Sequence, residues 1–365
     1  MIKRQSFVGV ALAGVTALSC TSPPAVPPVA VPAPQSVSSR RAAATVYKWR
    51  PANARLLTRW AADVTPENAH QEYPRPQMTR ERWQNLNGLW QFEVVGDSGR
   101  ALVFGRELTE RILVPFAMES SLSGIGRHAD RVVYRRIFAR PAMNPRERLL
   151  LNFGAVDWET RVYVNGREVG FHQGGYDPFT FDITPALLPG AAQELVVSVY
   201  DPTDKFGQPR GKQVSNPGGI WYTPVTGIWQ TVWLEPVPAA SIASLAFTPD
   251  VDGGSLRITV HGRGTSAADR VEAVASSNGA TVGRIEGPVG TELKLPVPNA
   301  HLWSPDDPFL YDLRVSLRNG SSETDRVDSY FGMRKVGLAR DANGFTRIAL
   351  NGKPVFQLGP LDQGW

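Results

Sequence analysis

The stretch GAVDWETRVYVNGREVGFHQGGYDPFTFDIT, residues 154–184, decides how the chain is read. Thr160–Val164 and Glu168–Phe171 are runs of β-formers. Asn165-Gly166 between them is a two-residue hairpin signal, because both residues tolerate positive φ. Asp157 and Glu159 lie two apart, so on a strand they share one face, with Trp158 on the other. An acid–base pair for glycosyl transfer needs about 5–10 Å across a cleft, usually from different strands. A structural role is therefore expected, with Asp157 binding nearby backbone amides and Glu159 partly solvated. Gly174-Gly175 reads as a turn with positive φ, and Tyr176 and Phe179 as core.

The same pattern extends in both directions. Arg111–Val114, Val132–Ala139, Arg148–Phe153 and Glu194–Tyr200 are short strand signals broken by Gly, Pro and Asn. Ile228–Glu235 reads as one more strand, with Trp229 and Trp233 on one face and Ile228, Gln230 and Val232 on the other. Thr79–Leu86 is at most a short helix. Residues 60–237 are thus expected to form an all-β domain. Pro236 and Pro238 mark its boundary with a second series over 238–337: Ser241–Phe247, Ser255–His261, Arg270–Ala275, Ala280–Ile285, Thr291–Leu295, Tyr311–Leu317 and Asp325–Phe331. Seven short strands without a disulfide predict an immunoglobulin-like sandwich. In 338–365, Phe345–Leu350 and Pro354–Leu358 flank Asn351-Gly352-Lys353 as a hairpin.

Composition agrees with many short strands. The 365 residues include 34 Gly and 30 Pro, a load that disfavours long helices. Ten Trp exceed the usual needs of such a core; an indole offers a flat apolar face and one donor, suited to sandwich cores and to sugar platforms. The net charge of +5 is unevenly placed. Residues 1–60 hold Lys3, Arg4, Arg40, Arg41, Lys48, Arg50, Arg55 and Arg59 and no acidic residue, which leaves 31 basic against 34 acidic residues in the remaining 305. The folded part is slightly acidic, and nucleic-acid binding loses its support.

Cys20 is the single cysteine, so neither a disulfide framework nor a thiolate metal site exists within the chain. Lys3-Arg4 and the apolar run Phe7–Leu18, followed by Ala17-Leu18-Ser19-Cys20, read as an export signal approximating a bacterial lipoprotein box over 1–20. Lipidation is expected at Cys20, with the protein exported to the periplasm or cell surface; Ala-x-Ser also suits ordinary signal peptidase. Residues 21–34 hold six prolines, an extended tether that opens the lead-in over 21–59.

Other chemistry is thinly represented. The five His scatter without an i,i+4 pair, so no metal site is expected. The run from Gly262 to Ala267 formally resembles a dinucleotide fingerprint, but it follows a strand and opens no helix, so a turn is expected. The irregular loop Asp201–Tyr222, with Lys205, Arg210, Lys212, Gln213 and Trp221, is the candidate ligand-contacting segment. Long loops on rigid sandwiches carry binding, and these side chains suit hydroxyl and ring-face contacts; a solvated loop is the alternative.

Residues 154–184 resemble the sugar-binding domain of family-2 glycoside hydrolases, the family of β-galactosidases, β-glucuronidases and β-mannosidases. Asn87-Gly88-Leu89-Trp90 is similar to its opening strand, and Thr226-Gly227-Ile228-Trp229 through Glu235 to its closing strand. Leu302-Trp303-Ser304-Pro305, Pro308 and Leu310-Tyr311, with Tyr330-Phe331-Gly332 and Arg334-Lys335, resemble its immunoglobulin-like domain. The resemblance covers roughly 80–365 and implies a jelly-roll-like sugar-binding sandwich followed by an immunoglobulin-like one.

In that family both catalytic glutamates stand on a TIM barrel after the sandwiches. Such a barrel takes roughly 250 residues, so residues 338–365 would be only its opening hairpin and first strand, and no catalytic residue is expected in this chain. At Gly174 the resemblance departs from β-galactosidases, which place a sugar-contacting carboxylate there; the run from His172 to Phe179 is closer to the glucuronidase type. The expectation is the N-terminal part of an exported hydrolase of β-linked sugars that needs no cofactor. The alternatives are a stand-alone surface module that binds carbohydrate, or an interaction protein whose sandwiches act as spacers. A homo-oligomer is left open.

Overall fold

A computed structural model describes residues 47–54, 56–96 and 102–361. The leader, Cys20 and residues 21–46 of the tether lie outside the described residues. The first sandwich is built from β1 (Gln84–Asn85), β2 (Gly88–Val94), β3 (Glu110–Val114), β4 (Arg131–Ala139), β5 (Glu147–Phe153), β6 (Val156–Asp157), β7 (Glu159–Val164), β8 (Arg167–Gln173), β9 (Phe179–Asp182), β10 (Ala192–Tyr200), β11 (Gly227–Ile228) and β12 (Val232–Pro238). A six-stranded sheet of order β3-β2-β4-β10-β7-β8 faces a four-stranded sheet of order β1-β12-β5-β9. All pairings are antiparallel.

Alternation explains the two layers. In β2, Trp90 and Phe92 point inward while Leu89 and Gln91 are half-buried. The inward side chains meet Tyr134, Leu149, Leu151, Phe153 and Ile228 in one apolar core. Burial of each large side chain there contributes about 1.5–3 kcal/mol. Buried polar ends are matched: the Trp90 indole donates to Leu86 O at 2.7 Å, and the Tyr134 hydroxyl accepts from Ile228 N at 3.3 Å. The hairpin expected at Asn165-Gly166 forms, with φ of 51° and 78°, joining β7 to β8 through Val164 and Arg167.

The second sandwich packs β13 (Ser241–Asp250), β14 (Ser255–Arg263) and β17 (Glu292–Pro296) against β15 (Asp269–Ser277), β16 (Ala280–Pro288), β18 (Tyr311–Asn319) and β19 (Ser322–Phe331). These seven strands match the seven expected. Gly262 and Arg263 end β14 and Gly264 turns at φ 65°, as the turn reading requires. Beyond them β20 (Val336–Arg340), β21 (Thr346–Leu350) and β22 (Lys353–Pro354) form a small separate sheet. No α-helix occurs among the described residues.

One sequence expectation is sharpened and one corrected. Thr79–Leu86 is not helical: Thr79 pairs with Asp328 of β19, and Gln84 and Asn85 pair with Leu234 and Trp233. The segment bridges both sandwiches, and Met78 lies in the second core. Those tertiary partners take the backbone groups that a helix would have used. Ile228–Glu235 is likewise not one strand. It breaks after Ile228 and resumes at Val232, so Gln230 is exposed while Ile228 and Val232 are buried.

Candidate functional site

One end of the first sandwich gathers the turn after β3, the start of β4 and the loop after β10. Asp201, 1% exposed, sits at its centre. Its carboxylate accepts from Thr203 N at 2.7 Å, Gln208 Nε2 at 2.7 Å and Thr226 Oγ1 at 2.6 Å. Glu119 accepts from Thr226 N at 3.0 Å and meets His128 Nδ1 at 2.8 Å. Lys205 pairs with Asp130. Both roots of the Asp201–Tyr222 loop are therefore tied down by charge-assisted hydrogen bonds, the stronger kind.

Burial shapes the acid–base state of this cluster. Glu119 is held above the usual carboxylate range by desolvation, against the hydrogen bond from His128. His128 is raised, first by its hydrogen bond to Glu119. Asp157, 2% exposed, is pushed up to about 8 by desolvation and then by the charges of Asp201 and Glu119, with Gln213 opposing. It is a protonated acid at neutral pH. Its Oδ1 has no hydrogen-bond partner, so the expected clasp on backbone amides is absent. Glu159, half-buried, accepts from Gln173 at 3.0 Å.

The turn beside Asp157 explains the Gly174-Gly175 pair differently from the sequence reading. Gly174 has φ 138°, whereas Gly175 is required by contact, since a Cβ there would stand 2.5 Å from the Asp157 carboxyl. The Gly175 carbonyl accepts from Trp229 Nε1 at 2.7 Å. Phe179 is half-buried and packs on the core between Phe153 and His172, at 4.8 and 4.1 Å between ring centres. Tyr176 is not core; it is 38% exposed, because the turn carries it past the sheet edge.

The five loop residues singled out from sequence have separate fates. Gln213 is buried, and its Oε1 accepts from Val225 N at 2.5 Å, so it braces the loop rather than meeting a ligand. Arg210 donates to Gln213 O at 3.1 Å, and Lys205 is spent on Asp130. Lys212 stands 6.0 Å from the ring centre of Tyr222. Trp221 is exposed, as are its chain neighbours Ile220 and Tyr222 and, earlier in the loop, Phe206. The loop thus offers an aromatic crest on a braced root. The bracing residues Glu119, His128 and Asp130 have no sequence signature, since they join only in the fold.

Known proteins share this architecture. Residues 112–234 match the model of the glycosyl hydrolases family 2 sugar binding domain, and residues 239–334 match glycosyl hydrolases family 2. A β-glucuronidase of Paenibacillus borealis is 26% identical over 309 residues, covering 79% of this chain and 50% of that protein. A β-galactosidase of Thermoanaerobacter pseudethanolicus is 28% identical over 238 residues, covering 61% of this chain and 30% of that protein. A solved β-glucuronidase from Ruminococcus gnavus, in complex with D-glucaro 1,5-lactone, superposes with a TM-score of 0.65 at 23% identity, over 79% of this chain and 50% of that one. The chain spans about half the length or less of these relatives. With the two matches falling in family order on the two sandwiches, the chain belongs to glycosyl hydrolase family 2, as its sugar-binding and immunoglobulin-like domains.

Proposed function

We propose that the chain is the N-terminal, carbohydrate-handling part of an exported glycoside hydrolase acting on β-linked sugars. The observation that carries this reading is the succession of two matches to one family along two sandwiches that share a buried joint. The relatives named above are β-glucuronidases and a β-galactosidase, which makes β-glucuronides and β-galactosides the first substrates to try. Among the described residues no eight-stranded barrel is present, so the carboxylate pair that such hydrolysis needs belongs to sequence outside them. A surface module that binds carbohydrate without catalysis is the second reading, and the match of residues 112–234 to a sugar binding domain supports it.

Export rests on Lys3-Arg4, the apolar run to Leu18 and Cys20. Loss of lipid labelling in Cys20→Ser, with export retained, supports a lipid anchor; persistent labelling overturns it. The deciding experiment for function is the genomic frame downstream of Trp365, with assay of its whole product on chromogenic β-glycosides. A frame encoding a barrel and turnover of a β-glycoside supports the hydrolase. A stop codon together with saccharide binding supports the module.

A further inference from the structure

The outer face of the four-stranded sheet carries a groove that takes no residue from the Asp201–Tyr222 loop. The irregular segment from His70 to Pro76 and the turn at Tyr176–Pro178 both contribute to its lining. The groove measures about 560 Å³, within the size range of small-molecule sites. It borders a second cavity of about 410 Å³, with Arg75, Pro178 and Trp233 lining both. The two cavities thus share a wall.

Tyr73, Tyr176, Trp229 and Trp233 line the groove, and three of them have their polar ends committed inward. Trp229 Nε1 donates to Gly175 O at 2.7 Å, Tyr73 Oη to Glu235 Oε1 at 2.5 Å, and Trp233 Nε1 to Glu235 Oε1 at 2.8 Å. These bonds fix the ring orientations; Trp233, only 4% exposed, backs the groove, while half-buried Tyr73 and Trp229 and exposed Tyr176 make its preformed aromatic platform. The rim is polar: Gln230 is exposed, and Glu72 is exposed and hydrogen-bonded to His70 at 2.9 Å. That bond lowers the pKa of the Glu72 carboxyl and keeps it an ionised acceptor.

Charge selects among sugars. The guanidinium of Arg75 already faces both oxygens of Glu235, at 2.8 and 2.9 Å, while Glu72 adds a carboxylate to the rim. A sugar acid would meet repulsion there; a neutral sugar would lay its C–H face on the rings and offer hydroxyls to Glu72 and Gln230. Two adjoining cavities of about 560 and 410 Å³ give room for more than one sugar ring of an equatorially linked chain. We infer that this groove binds a neutral β-linked oligosaccharide, separately from the crest at Trp221. The inference rests on reading the first sandwich as a carbohydrate-binding domain.

The test is calorimetric titration of the 365-residue chain with cellotetraose, and with methyl β-D-glucuronide as the acidic counterpart. Saturable cellotetraose binding is expected, weakened about fivefold or more by Tyr176→Ala and by Glu72→Gln, with Trp221→Ala binding like the parent. Both groove substitutions fall on exposed side chains, so unchanged melting curves will show that the fold is intact; Gln230→Ala replaces either variant whose melting curve is altered. No saturable binding, binding insensitive to the groove substitutions, or tighter binding of the glucuronide overturns the inference. Binding lost in Trp221→Ala but kept in the groove variants overturns the groove while leaving the carbohydrate reading standing.

Discussion

Arg80 and Asp325 form a two-pronged ion pair across the joint between the sandwiches, with Nη1–Oδ1 at 2.6 Å and Nη2–Oδ2 at 2.9 Å. Both side chains are less than 10% exposed. Asp325 also accepts from Ile242 N at 2.7 Å, Arg80 donates to Ile242 O at 2.8 Å, and Arg80 Nε stands 3.6 Å from Glu235. The first residues of the second sandwich are thereby locked to the segment just before β1 and to β12. The relative placement of the two domains depends on a satisfied polar joint rather than on apolar contact alone.

Removing Asp325 leaves Arg80 only its bond to Ile242 O and the 3.6 Å approach to Glu235. Asp325→Ala leaves a buried guanidinium facing an empty carboxylate position and is expected to cost about 3–5 kcal/mol. Denaturant melts of the variant and of Arg80→Met/Asp325→Leu measure it; the double variant should regain most of the loss. A single variant as stable as the parent would refute the joint.

The buried Asp157 carboxyl makes stability pH-dependent in a definite direction. Its folded pKa of about 8 lies far above the unfolded value of about 3.9, so the folded state holds its proton more tightly. Its contribution is full below about pH 4, shrinks as pH rises, and is lost once pH passes 8. Asp157→Asn removes this dependence. The stability difference between variant and parent, followed by melting curves from pH 4 to 9, should move in the variant's favour up to pH 8 and then level off. Parallel curves would contradict the assignment.

At Gly175 a methyl group has no room. Gly175→Ala is expected to destabilise by about 1–3 kcal/mol through overpacking against Asp157, whereas Gly207→Ala, where a Cβ meets nothing within 4 Å, should leave the melting temperature nearly unchanged. Equal melting temperatures for the two would dismiss the contact.

The 365-residue chain by itself is expected to show no turnover of p-nitrophenyl β-glucuronide or β-galactoside. Release of nitrophenol above buffer, abolished by replacing a carboxylate of this chain, would place catalysis within the sandwiches.

The sheet of β20–β22 leaves Leu338, Phe345, Ile348, Phe356 and Leu358 exposed, although Asn351 ties it to Trp303 O at 3.0 Å and Ala349 is buried. Apolar side chains so displayed drive self-association, at about 1.5–3 kcal/mol for each one that is covered. A chain ending at Gly337 should scatter less light at equal concentration and melt at the same temperature. A fall of many degrees would instead make the small sheet an integral part of the second sandwich.

Local order was legible in the sequence because strands and tight turns are set by neighbours along the chain. Asn165-Gly166 marks its hairpin through φ preferences, and the alternation in β2, β14 and β18 states which side chains face inward. The order of four motifs along the chain was also sufficient to indicate the family. Tertiary structure decided what depends on neighbours distant in sequence. Thr79 is extended because Asp328 pairs with it, Gln213 is a brace because Val225 reaches its amide, and Tyr176 is exposed because the turn beside Asp157 swings it clear of the core. The polar root of the loop and the aromatic groove each gather residues from three or more segments. Burial and proximity, which set their protonation and their exposed faces, are properties of the fold that no single stretch encodes.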